Sequence, residues 1–125
     1  MKNVKKIGSK KWVFPDAEMP EVSPGKMVAH ESIIILNLNK EAVNVEMSLY
    51  FEDKPPIKNI KLKVDPEKVK CFRLDRSEEI DGLNIPKKTQ YAIVLDSNLE
   101  IIAQYGRLDT TQSNMAFYTV MGYSL

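Results

Sequence analysis

One cysteine, one histidine and one tryptophan occur in 125 residues, and each scarcity closes off a class of chemistry. A single cysteine, Cys71, allows no internal disulfide, so the fold must stand on its own core and a reducing, cytoplasmic setting is expected. A single histidine, His30, with no second ligand spaced around it, gives no zinc pattern, and neither a metal nor a cofactor is expected. The longest apolar run, Ile33-Ile34-Ile35-Leu36, is far short of the ~20 residues a membrane helix needs, and the early lysines lead into no apolar signal segment. Neither membrane insertion nor signal-directed secretion is therefore expected. The five glycines never cluster, so there is no phosphate loop or dinucleotide fingerprint, and no nucleophile elbow or His-Glu-x-x-His stretch occurs. The chain is read as non-enzymatic. Nor is there an excess of charge: 18 basic against 17 acidic side chains leave +1, no field to gather a phosphate backbone, and nucleic acid is not an expected partner.

What is present is the balance of a soluble globular protein, 43% hydrophobic and 28% charged. The length suits one domain that buries roughly two-thirds of its unfolded surface. The lysine-rich start is expected to be a disordered basic N-terminus over residues 1–7, with the domain at 8–125.

Alternation of apolar and polar residues predicts an all-β antiparallel sandwich of about eight short strands. Lys11–Phe14 is the first, and the Pro-rich stretch from Pro15 to Lys26 reads as a loop. His30–Asn37 and Ala42–Phe51 follow as a predicted hairpin; in the second, Val43, Val45, Met47, Leu49 and Phe51 share one face. Asn59–Val64 sets Ile60, Leu62 and Val64 on one side. Val69–Leu74 comes next, with Cys71 expected to be buried. Ser77-Glu78-Glu79 supports one helical turn. Thr89–Asp96 and Glu100–Leu108 are predicted to form a hairpin across Ser97-Asn98, and Met115–Tyr123 closes the chain. Ile34 and Leu36 oppose Ile33 and Ile35, and Ala92 and Val94 oppose Ile93 and Leu95, so these strands are apolar on both faces; a homo-oligomer covering the outer face is the expectation, with a local cap of loops as the alternative.

Polar candidates gather at strand ends. Arg107 and Asp109 project to the same side, about 7 Å apart by Cα, with Tyr105 before them. A guanidinium fork beside a carboxylate offers donors and acceptors to vicinal hydroxyls, and an intrachain ion pair is the plainer alternative. His30 and Glu31 open a strand next to the Pro-rich loop. Trp12 is either a core plug or a stacking platform.

The ordered pieces KKWVFPD, HESIIILN, LYFEDKPP, FRLD, YAIVLDSN, QYGRLDTTQ and AFYTVMGY resemble the small soluble sensory rhodopsin transducer family from about Gly8 to Tyr123. The resemblance implies a β-sandwich, a homotetramer, a fold similar to carbohydrate-binding modules, and a small-molecule ligand of the sugar or polyol kind. It carries over Trp12, His30, Glu31, Asn37, Glu52, Asp53, Arg73, Arg107, Asp109 and Gln112 as matching polar positions. On it, Trp12, His30, Glu31, Tyr105, Arg107, Asp109 and Gln112 are the expected ligand-binding residues. The alternative it allows is an adaptor that docks on a membrane photoreceptor or another signalling protein without a ligand. A sugar-modifying enzyme using Glu31 and Asp109 is a third option, which the carboxyl separation bears on.

Overall fold

The computed structural model describes residues 6–21, 27–110 and 115–125. Residues 1–5 of the expected basic tail, and Gln112, lie outside the described residues. The elements are β1 (Ser9–Glu18), β2 (His30–Asn37), β3 (Val43–Phe51), β4 (Ile57–Val64), β5 (Lys68–Arg73), a 3-10 turn at Ser77–Glu79, β6 (Gln90–Asp109), β7 (Ala116–Met121) and β8 (Tyr123–Ser124). All pairings are antiparallel. One sheet runs β4-β3-β6-β1-β8 and the other is β5-β2-β6-β7, so β6 belongs to both.

The alternating strands behave as their patterns require. Val43, Val45, Met47 and Leu49 of β3 are buried, as are Ile60, Leu62 and Val64 of β4, while the residues between them are exposed or half-buried. Inward residues of both sheets, among them Phe14, Ile33, Ile35, Met47, Phe72 and Ile93, merge into one core.

Four expectations of pairing and burial are corrected. β2 and β3 are not a hairpin: β2 pairs with β5 and β6, and β3 with β4 and β6, so the chain crosses between sheets there. Residues on either side of Ser97-Asn98 do not pair with each other either. The first half of β6 lies between β1 and β3 and the second between β2 and β7, with a break where Ser9 faces Ile101 but Lys11 faces Asp96. β1 continues through Pro15, tolerated because the register shifts between Phe14 and Ala17. Cys71 is exposed: β5 turns only Phe72 fully inward.

Candidate functional site

Glu31 is the second residue of β2 and shares the inward side with Ile33 and Ile35, so the alternation that builds the core also drives a carboxylate into it, 0% exposed. A charge there needs partners. Oε1 accepts the Tyr91 hydroxyl at 2.6 Å; Oε2 accepts the Tyr105 hydroxyl and the Glu18 amide, the latter at 2.9 Å, and stands 3.7 Å from Arg107 Nη1. Tyr91 and Tyr105 lie fourteen positions apart in β6 and would be about 46 Å apart on a straight strand. Their meeting on one carboxylate shows that β6 folds back over the core at its corner. Burial, and then the Glu31 charge, push both phenols well above the ordinary tyrosine range. Burial disfavours the Arg107 charge, but the Tyr105 hydroxyl and Glu31 outweigh it and raise the guanidinium.

On the solvent side of this knot is a polar cleft of about 350 Å³, walled by Glu18, Pro20, Glu21, Lys88, Arg107 and Asp109. Its wall is fixed by backbone: Met19 N donates to Thr89 O at 3.0 Å and Lys88 N to Met19 O at 2.7 Å. Arg107 also donates to the Glu18 carbonyl, and Lys88 pairs with Glu21. The guanidinium is thereby held from behind by Glu31 and Glu18 at the edge of the cleft.

A second concavity, about 430 Å³, opens between β1 and β7, with Phe14, Asp16, Tyr105, Tyr118 and Tyr123 in its lining. The Tyr105 and Tyr118 rings stand 6.4 Å apart by centroid, at 50°. Gly122 makes the crossing from β7 to β8 possible: a Cβ there would come within 2.7 Å of the Phe14 ring.

The expected site residues therefore divide. Arg107 and Asp109 share the polar cleft, whereas Tyr105 lines the aromatic groove. Glu31 is reached from the cleft only through Arg107; fully buried, with both oxygens engaged, it is unsuited to be half of a catalytic carboxylate pair. Trp12 is the core plug, 5% exposed, its indole N–H donating to the carbonyls of Ser9 and Ile101, both at 3.1 Å, and no face is left for stacking. His30 alternates to the side of β2 opposite Glu31, and its Nδ1 lies 2.8 Å from Val28 O. Asn37 ties turns at the far end of β2, and Arg73 forms a two-pronged pair with Asp75, both contacts 2.8 Å. Glu52 and Asp53 are exposed beyond the end of β3. Among the described residues no His, Cys, Asp or Glu cluster is placed to hold a metal, and no helix is long and apolar enough to cross a membrane.

Tyr91, Lys88, Asp16, Tyr118 and Tyr123 were not singled out by the sequence. Tyr91 carried a signal: it shares parity with Ile93 and Leu95, and an inward tyrosine needs a partner for its hydroxyl. For the others, the signal lies only in which strands become neighbours.

A family model described as Anabaena sensory rhodopsin transducer matches residues 7–124. The crystal structure of Thermotoga maritima 1070 is similar with a TM-score of 0.86 and 32% identity, covering 96% of this chain and 97% of that one. The structure of the Anabaena sensory rhodopsin transducer is similar with a TM-score of 0.71 and 29% identity, over 82% of this chain and 99% of that one. No significant match was found among curated proteins.

Proposed function

This chain belongs to the Anabaena sensory rhodopsin transducer family, and on that premise we propose that it is a non-enzymatic, cytoplasmic small-molecule-binding domain whose polar cleft takes a sugar or polyol. The observation that carries this reading is the Arg107–Asp109 edge of the cleft. Arg107 is already oriented by Glu31 and Glu18, so its remaining donors are offered without the ordering cost a free arginine would carry, beside the Asp109 acceptors. A vicinal diol bridges such a pair. Gln112, outside the described residues, is kept in the proposed site from the sequence, whereas His30, on the side of β2 opposite Glu31, is left out of it; residues 8–125 are the proposed domain, with 1–7 as a tail.

Binding is coupled to output through the same knot. Arg107 leans on Glu31, which holds Tyr91 and Tyr105 on opposite halves of β6, so a ligand that shifts Arg107 loads both sheets. A differential affinity of about 5- to 150-fold between two arrangements, 1–3 kcal/mol, is the usual scale of such coupling. The outer face of the β5-β2-β6-β7 sheet supports a homotetramer contact: Val69 and Phe117 are 63% and 66% exposed, beside half-buried Ile34 and Leu36. The same apolar patch favours a second reading, an adaptor that docks on a membrane receptor without a ligand.

The test is a thermal-shift screen against sugars, sugar acids and polyols, repeated with Arg107→Ala and Asp109→Asn. A ligand at 100 times its Kd adds about 2.7 kcal/mol, a midpoint shift on the order of 10 °C. The reading predicts a shift that both variants lose while folded. A screen with no shift, or a shift that survives both substitutions, overturns it and leaves the adaptor.

A further inference from the structure

The aromatic groove between β1 and β7 has a chemistry different from the cleft beside it. Its lining carries four rings, Phe14, Tyr105, Tyr118 and Tyr123, one carboxylate, Asp16, and no basic side chain. We propose that it is a second binding site, for a small alkylated ammonium group of the choline type.

Three observations support a cation rather than another polyol. Tyr118 and Tyr123, 50% and 67% exposed, present open ring area to the groove, with Tyr105 backing Tyr118 at 6.4 Å between centroids and 50° between planes, so a methylated ammonium resting on Tyr118 lies within about 6 Å of that ring's centroid. The floor is poor in free polar groups, because the Tyr105 hydroxyl is turned away to Glu31. Asp16 supplies the counter-charge: its Oδ1 accepts from Gln90 Nε2 at 2.9 Å, which fixes the carboxylate at the rim and adds no opposing charge. The nearest guanidinium, Arg107, stands across the β6–β7 pairing from Tyr118 but is directed to Glu31 and the Glu18 carbonyl and forms no part of the lining. Phe14 and Tyr105, each 2% exposed, make the base, and Tyr118 and Tyr123, 50% and 67% exposed, the walls. Tyr118 alternates with Phe117 along β7, so the groove and the apolar outer face are opposite sides of one strand and can be occupied together.

The experiment is a titration of the full chain with choline and with its uncharged isostere, in which carbon replaces the ammonium nitrogen, followed by calorimetry and by amide shifts in β1 and β7. Choline is expected to bind in the millimolar range and the isostere about tenfold more weakly, the charge-dependent part being the ring and carboxylate attraction. Tyr118→Leu is expected to abolish binding and Asp16→Asn to weaken it about threefold. Asp109→Asn, in the polar cleft, is expected to leave choline binding unchanged even if no sugar binds there. Equal binding of the isostere, binding that survives Tyr118→Leu, or no binding of choline at tens of times the expected Kd each overturns the proposal.

Discussion

The two phenols on Glu31 make a prediction about alkaline stability that can be worked from the structure. Tyr91 and Tyr105 are each 2% exposed and donate to a buried carboxylate, so ionising either would set a phenolate against Glu31 with no donor left between them. Their folded pKa values are raised, by burial first and by Glu31 second, above the ~10 of an unfolded tyrosine. The sign follows: above pH 10 the unfolded chain has lost these two protons while the folded chain keeps them, so stability is complete below pH 10 and falls as pH rises beyond it. At pH 11 each phenol accounts for about 1.4 kcal/mol; Tyr105 borders the groove, where water screens part of this, and the pair is expected to cost about 2 kcal/mol. Urea unfolding between pH 8 and 11, read by the fluorescence of buried Trp12, measures the loss. Tyr91→Phe, which leaves the ring in place, should remove about half of the alkaline loss and cost about 1.5–3 kcal/mol at neutral pH, the worth of a hydrogen bond to a charged group. Phenolate absorbance supplies the direct readout, with Tyr91 and Tyr105 withheld at pH 11 until the chain unfolds. All five ionising in the folded protein at pH 11, or an undiminished alkaline loss in Tyr91→Phe, would refute the reasoning.

Asn37 is 0% exposed; its Nδ2 is shared among the carbonyls of Glu41, Val64 and Asp65 at 2.9–3.2 Å, and its Oδ1 accepts from Asn39. Asn37→Ala is expected to cost roughly 3 kcal/mol in denaturant unfolding, and a loss under 1 kcal/mol would show that water replaces the amide. Phe117→Asp places a charge in the apolar outer face, and light scattering should find a smaller assembly with an unchanged circular dichroism spectrum. An unchanged mass would remove that face from the proposed subunit contact.

The parts of this fold that the sequence revealed are those in which one strand decides its own faces. β3 and β4 alternate because one side meets the core and the other water, and that information is local. Pairing is not local. Ser97-Asn98 has the residues of a tight turn, and a corner that passes a strand from one sheet to the other uses the same residues; only the partners differ, β1 and β3 before it, β2 and β7 after it. Cys71 departs from expectation for a related reason: its neighbours are β-formers, but β5 is an edge strand, paired among the described residues with β2 alone and with little of its surface covered. Arg107 and Asp109 were legible as a same-side pair. The ion pair, however, joins Arg107 to Glu31, its cross-strand neighbour in β2.

The corner in β6 also explains why the polar residues gather where they do. A strand that stayed in one sheet would keep Tyr91 and Tyr105 a molecule's length apart, each needing its own partner in an apolar interior. Folding β6 back brings both hydroxyls to one acceptor, and the one carboxylate that satisfies them must then be buried as well. A buried carboxylate with two neutral donors and an amide still lacks a counter-charge, and the closest cation is Arg107, sixteen positions beyond Tyr91 on the same strand. Arg107 stands at the edge of the core because Glu31 needs it there, and from that place it lines the cleft. On the proposed function, core stability and the donor for a ligand would thus come from one side chain. That is why the proposed site is tested with Asp109→Asn as well as Arg107→Ala: only the first keeps the guanidinium that Glu31 pairs with.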